Sequence, residues 1–194
     1  FNLPISLLPG LRFLQEIASR AAGGVGDIDA FCAIVDMPIA DVRLMLPAGL
    51  KLVTTGAATS HSVVLVFARQ QNVRPGFLPF GGTSYFEIFQ IIPDLALENV
   101  PYLQAVRFSF MPHLLLDQLP PVVVGKSLYG FNKQLAQIRT SGDSFDVRGP
   151  TGQIGGHFNR EGAPGDILKF PSIVAIRTKM EQPLVGIATD GSYI

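Results

Sequence analysis

Alternating and valine-rich segments set the pattern of this chain. Residues 61–69, HSVVLVFAR, form a run dense in β-branched side chains, which predicts a buried strand. Residues 83–92 alternate, with Tyr85, Glu87 and Phe89 on one face and Ser84, Phe86 and Ile88 on the other. Further strands are expected at 28–35, 51–54, 100–111, 144–148, 153–158, 173–179 and 184–188. Helical spacing shows in two places. Leu11, Leu14, Ile17 and Ala18 predict a helix over 11–22 that ends at Gly23-Gly24. Asp36 is expected to cap a second helix with Pro38 in its first turn, carrying Ile39, Val42, Leu44, Met45 and Leu46 and stopped by Pro47. The segment HLLLDQL, bracketed by Pro112 and Pro120, reads as a turn with a short extended or helical piece. With 20 glycines and 15 prolines, the texture predicts a mainly β domain with a few short helices, an α+β arrangement.

Composition narrows the function classes. Hydrophobic residues make up 47% of the 194 and charged residues 15%, against about 25% charged in a typical soluble domain. So little charge leaves apolar surface that other subunits would cover, and a homo-oligomer is expected. Fifteen basic residues balance fifteen acidic ones without a basic cluster, so nucleic acid is not an expected partner. No run of eighteen apolar residues predicts a membrane span. Cys32 is alone, which excludes an internal disulfide and a thiolate metal cluster. His61, His113 and His157 lie on separate segments without metal-ligand spacing, and no metal or cofactor is expected. The glycine-rich spots at 23–26, 81–83 and 151–156 lack the pattern of a phosphate loop, and no serine stands in a nucleophile elbow. The opening FNLPISLLPG is too polar and proline-broken for a signal-peptide core. The chain reads as a single domain over 1–194, expected to be incomplete at both ends. Its compartment is unknown, with the cytoplasm favoured.

Lysine and carboxylate remain as candidate chemistry. Lys133 stands among uncharged neighbours in PPVVVGKSLYGFNKQLAQI, residues 120–138. One reading has its stem lying along apolar surface while the ammonium reaches water. The other has the amine desolvated, its pKa lowered, and its nitrogen nucleophilic toward carbonyl carbon. Glu87, mid-strand between Phe86 and Ile88, is either a solvent-facing strand residue or a carboxylate beside an amine. Asp117 and Asp143 read as turn formers.

Residues 114–138, LLLDQLPPVVVGKSLYGFNKQLAQI, resemble the active-site segment of acetoacetate decarboxylase-like proteins. The matching residues are Leu116-Asp117, Pro120, Gly125, Gly130, Phe131, Lys133 and Ala136. Upstream, residues 35–52 look like the family's short helix ending at a proline, and TSYFE (83–87) looks like its tyrosine–glutamate strand. The likeness covers about residues 28 to 140, with a vaguer fit to 180.

The resemblance implies that Lys133 is the Schiff-base lysine and Glu87 the active-site glutamate. It implies Tyr85, Tyr129, Phe131 and Gln134 as substrate-binding positions. It further implies a closed, cone-like antiparallel β-barrel with helices outside, a small-molecule carbonyl substrate and a homo-oligomer. Acetoacetate decarboxylase is itself the standard case of a lysine activated by an apolar setting or a cationic neighbour. Several positions depart from the family. Lys126-Ser127 replaces an Arg-Glu pair, Asn132 a proline, and Gln134 the second lysine. The family's arginine falls near Ile28 and its other glutamate among residues 63–66, where neither type stands. The implied activity is a lyase using lysine-imine chemistry on a keto acid or related carbonyl compound. The alternatives are a non-catalytic barrel that binds a small apolar or carbonyl-bearing ligand, and a structural oligomer.

Overall fold

A computed structural model of the chain describes residues 24–54, 56–75, 80–103, 105–129, 131–158 and 182–185. In order these form β1 (Gly24–Pro38), α1 (Ile39–Met45), β2 (Leu50–Leu52), β3 (Ser60–Pro75) and β4 (Thr83–Leu97). After a 3-10 turn (Pro101–Leu103) come β5 (Phe108–Phe110), β6 (Leu114–Leu116), α2 (Leu119–Tyr129) and β7 (Lys133–Leu135). The remaining strands are β8 (Gln137–Ser141), β9 (Ser144–Gly149), β10 (Gly152–His157) and β11 (Leu184–Val185). The expected mainly β texture holds.

Two compact units divide the chain: residues 1–29 with 69–85, and residues 30–68 with 86–194. Within the smaller one, the Gln71 amide donates to the Asp29 carboxylate at 2.8 Å and the Asn72 N–H to Ser84 Oγ at 3.1 Å. Gly26 approaches the chain so closely that a Cβ there would stand 2.8 Å from the Gln71 carbonyl oxygen.

The larger unit holds the rest. Its main sheet follows the path β1-β3-β4-β5-β11, with β2 and β6 also on β4 and β7 on β6. One segment serves so many neighbours because β4 is long and irregular. Its early part pairs with β6, Glu87 opposite Leu116 and Phe89 opposite Leu114. Its later part pairs with β5 and β2. The register shifts between Ile92 and Leu95, around Pro93 and a left-handed Asp94 (φ 57°). A proline cannot donate to a ladder, so a bulge is where a strand accommodates one. Gln182 braces the bend, accepting the Asp94 N–H at 2.9 Å and donating to its carboxylate at 2.7 Å.

Three apolar clusters hold this unit. One gathers Val42, Leu50, Val63, Ile92 and Leu95 around the bulged half of β4. The other two lie on opposite sides of the strands, as period-2 alternation demands. Odd positions of β3 with even positions of β4 carry Phe67 and Ile88, packed with Phe145 and Val147 of the sheet β10-β9-β8. There Phe31, Phe67, Phe145 and Phe158 stack, with ring centroids 4.2 Å apart for Phe31–Phe158 and 4.9 Å for Phe67–Phe145. The other side carries Val64, Val66, Ala68 and Ile91, with Ala30, Cys32, Phe89 and Met111 against them.

Several expectations need correction. The described strands do not close into a barrel, and they are not wholly antiparallel: β6–β7 and β5–β11 are parallel. The first of these pairs is joined through α2, and a helical crossover brings the chain back in the same direction. Asp36 does not cap α1, because β1 continues to Pro38, which takes the cap position; the Asp36 carboxylate instead accepts from Ser62 Oγ at 2.7 Å. Leu44 is not on the helix's buried side but is 86% exposed. Residues 100–111 shrink to the strand 108–110, since Pro101 opens a helical turn. The helix expected at 11–22, the strand at 173–179 and the part of 184–188 beyond Val185 lie outside the described residues.

Candidate active site

Three strands bring the candidate residues together. Glu87 on β4 stands opposite Leu116 on β6, which stands opposite Leu135 on β7. One step along, Phe89 faces Leu114, and Leu114 faces Lys133. Paired residues share a sheet face, and so do positions two apart on one strand. Lys133 and Glu87 therefore project from the same face, two strands and two residues apart. Strand spacing and rise put their Cα atoms roughly 12 Å from each other, within reach of two long side chains extended toward one another. This face is the one lined by Val64, Val66, Phe89 and Ile91.

Backbone hydrogen bonds fix the register. The Leu114 N–H donates to the Asn132 carbonyl at 3.1 Å, and the Ala136 N–H to the Leu116 carbonyl at 2.7 Å. Asp117 extends the β4–β6 ladder beside Glu87. Its N–H donates to the Phe86 carbonyl at 3.2 Å, and its carboxylate accepts the Phe86 N–H at 2.9 Å. Asp117 is thus more than a turn former, since it pins the strand that carries Glu87. Its place in the Leu-Asp motif was the available signal.

Glu87 is buried, with 6% of its surface exposed, so it is no solvent-facing strand residue. Burial holds the Lys133 amine below the ordinary lysine range, and the Glu87 carboxylate pulls it partway back up. The desolvation is the larger of the two effects. The amine lies 6.0 Å from the centroid of the half-buried Phe131 ring, at the outer limit of a cation–π contact.

The remaining predicted positions are Gln134, Tyr85 and Tyr129. Gln134 lies on the opposite face from Lys133, aligned with Leu115 and Ile88, and its amide donates to Asn132 Oδ1 at 3.4 Å. Strand alternation alone separates the two side chains. Asn132 in turn donates to the Pro112 carbonyl at 2.9 Å. Tyr85 is buried on β4 but belongs to the smaller unit. Tyr129 ends α2, and its side chain lies outside the described residues.

No three metal-ligating side chains converge among the described residues. His61 is a satisfied core residue, its Nε2 3.0 Å from the Pro93 carbonyl oxygen. His157 pairs with Ser144 Oγ at 3.0 Å. Burial pushes the half-buried Cys32 thiol up, away from thiolate chemistry. A shallow groove of about 640 Å³, lined by Asp117, Leu135, Ile138 and Arg148 among others, does not include Lys133 or Glu87.

No family model and no curated protein matches this chain. Solved structures do. Acetoacetate decarboxylase from Legionella pneumophila aligns with 88% of this chain and 61% of its own, at 16% identity and a TM-score of 0.54. A second acetoacetate decarboxylase structure gives 14% identity and a TM-score of 0.56 over 88% of this chain and 64% of its own. The enduracididine biosynthesis enzyme MppR was solved with the condensation product of pyruvate and imidazole 4-carboxaldehyde. It gives 16% identity and a TM-score of 0.50 over 83% of this chain and 62% of its own. The chain thus spans about three fifths of the length of these structures. The likeness bears out the resemblance at the level of the fold.

Proposed function

We propose that this chain is a divergent acetoacetate decarboxylase-like lyase in which Lys133 forms a Schiff base with a small carbonyl compound. The observation that carries this reading is the desolvated Lys133 amine on one sheet face with the buried Glu87 carboxylate. A neutral amine is the attacking form, and lowering its pKa raises the neutral fraction near pH 7. The amine adds to the carbonyl carbon, and the resulting carbinolamine takes up a proton and loses water to leave a protonated imine. The electron pair of the next bond to break flows into the C=N bond and gives an enamine. In a β-keto acid that bond releases carbon dioxide; in a retro-aldol cleavage it releases an aldehyde. Protonation of the enamine at carbon and hydrolysis of the imine by water return product and free amine. Glu87 would carry the protons between these steps. The MppR complex, in which a fold neighbour holds a pyruvate–aldehyde condensation product, supports a carbonyl substrate and keeps the aldol direction beside decarboxylation.

The proposal extends to a barrel closed in the whole protein and to a homo-oligomer. A second reading, a barrel that binds an apolar or carbonyl-bearing ligand without turnover, is favoured by one observation. The face that carries Lys133 and Glu87 is lined by the apolar cluster of Val64, Val66, Ala68 and Ile91, with Ala30, Cys32, Phe89 and Met111 packed against it. Borohydride trapping with a panel of keto acids, ketones and aldehydes, followed by peptide mapping, tests both. A reduced adduct on Lys133 that disappears in Lys133→Ala is the expected result. Saturable binding with no adduct from any compound would favour the second reading and overturn the first.

A further inference from the structure

We propose that Gly125 is a positioning residue: its missing side chain is the slot in which the Lys133 stem lies, holding the amine on the face it shares with Glu87. This rests on the reading of Lys133 as the imine-forming residue.

Gly125 is buried in the middle of α2, one helical turn after the buried Val122, while Val123 and Lys126 are exposed. A Cβ built on Gly125 would overlap Lys133 Cδ, stand 2.6 Å from Cε and 3.2 Å from Nζ. Real Cβ atoms do not come so close, so any larger residue would push the flexible stem aside and only the glycine leaves it in place. The glycine is not required by backbone, because Gly125 is not among the residues in the left-handed region. Glycine is among the poorest helix formers, and an alanine here would favour the helix if nothing lay across it. The Gly125 carbonyl also accepts the Phe131 N–H at 3.2 Å, and the Phe131 carbonyl accepts the Lys133 N–H at 2.8 Å. The same residue therefore makes room for the lysine stem and tethers the backbone that delivers it. Around the amine, β4 presents Glu87 and β6 presents Leu114, while Lys126 on α2 is exposed to solvent. Displacing the stem from Gly125 would send the ammonium toward water and away from the apolar contact that desolvates it.

The test is reductive labelling of Lys133 by an aldehyde probe and cyanoborohydride, quantified by peptide mapping across pH, in wild type and Gly125→Ala. The expected result is a labelling midpoint that moves up toward an ordinary lysine, with the rate near neutral pH falling about tenfold for each pH unit the midpoint moves. An unchanged midpoint and rate in a folded variant would overturn the proposal while leaving wild-type imine chemistry intact. A wild-type Lys133 that labels no faster than surface lysines would instead overturn the reading on which it rests. A stability cycle covers a poorly folding variant. The change in melting temperature on Gly125→Ala should differ between the Lys133 and Lys133→Ala backgrounds, because in the second there is no stem to displace and helix propensity alone acts. Equal changes in the two backgrounds would overturn the slot.

Discussion

Replacing Lys133 by methionine should make the protein more stable near neutral pH while abolishing adduct formation. Methionine keeps an unbranched stem of similar length, so packing against Gly125 is largely retained and the charge alone is removed. Two electrostatic effects act on that charge in opposite directions. Burial disfavours the ammonium, Glu87 favours it, and burial is the larger, leaving the folded-state pKa below that of the unfolded chain. Between those two values the unfolded state binds more protons, so stability rises with pH through that window. Lys133 therefore weakens the fold fully below its folded pKa, and the penalty lifts as pH climbs toward about 10.4, the unperturbed lysine value. Single stabilising substitutions commonly yield about 0.5–2 kcal/mol. For a chain of this size, about 1 kcal/mol corresponds to a melting temperature some 2–4 °C higher. Thermal melts of wild type and Lys133→Met from neutral to alkaline pH measure the difference, since titrating groups that do not interact with Lys133 cancel between the two. The gain should be greatest near neutrality and shrink as pH rises. A variant that is less stable at neutral pH, by an amount that does not change with pH, would refute the reasoning: the ammonium would then be solvated or a net-stabilising partner of Glu87.

Glu87→Gln removes the interaction that holds the Lys133 amine up, so the labelling midpoint should fall below wild type while any turnover drops with the lost proton carrier; a pH–rate profile of both checks it. Asp117→Ala strips the acceptor from the part-buried Phe86 N–H and should destabilise by about 1–3 kcal/mol in urea melts, with slower Lys133 labelling because the β4–β6 register loosens. Leu95→Ala, at a fully buried position, should destabilise by about 2–5 kcal/mol. Leu44→Ala, at an 86% exposed one, should stay within about 0.5 kcal/mol, as denaturant titration of the two will report.

The strands around Glu87 were legible because alternation and β-branching are strong local signals. Residues 61–69 and 83–92 do lie in β3 and β4, though each strand extends further. The ends were hidden because β4 continues past Pro93 through a bulge braced by Gln182, a partner 88 residues away from Asp94. Strand β8 carries a single apolar residue, Ile138, so no hydrophobic period marked it. Three consecutive valines suggest a strand by propensity. Here residues 122–124 sit in α2 because Pro120 and Pro121 are accepted in a first helical turn and the Val122–Gly125 side packs inward. At the site, Lys133 and Glu87 were named from motif, but their common face depends on two strand registers that no local pattern encodes. The same registers turn Gln134 away. Gly125 was visible as a motif glycine, yet its use emerges only when the lysine stem is seen lying over the helix.

The unit β6–α2–β7 spans 22 residues from Leu114 to Leu135 and carries the lysine, its glycine and the Phe131 ring on one short length of chain. Its parts can meet by closing one small loop, whereas Glu87 must arrive from a strand that precedes β6. Until β4 docks, the amine lacks both the carboxylate and much of the apolar wall formed by Phe89 and Ile91. Lys133 would then behave as an ordinary lysine in a nascent chain and become distinctive only on completion of the sheet. During refolding, the onset of its selective labelling would time the docking of β4.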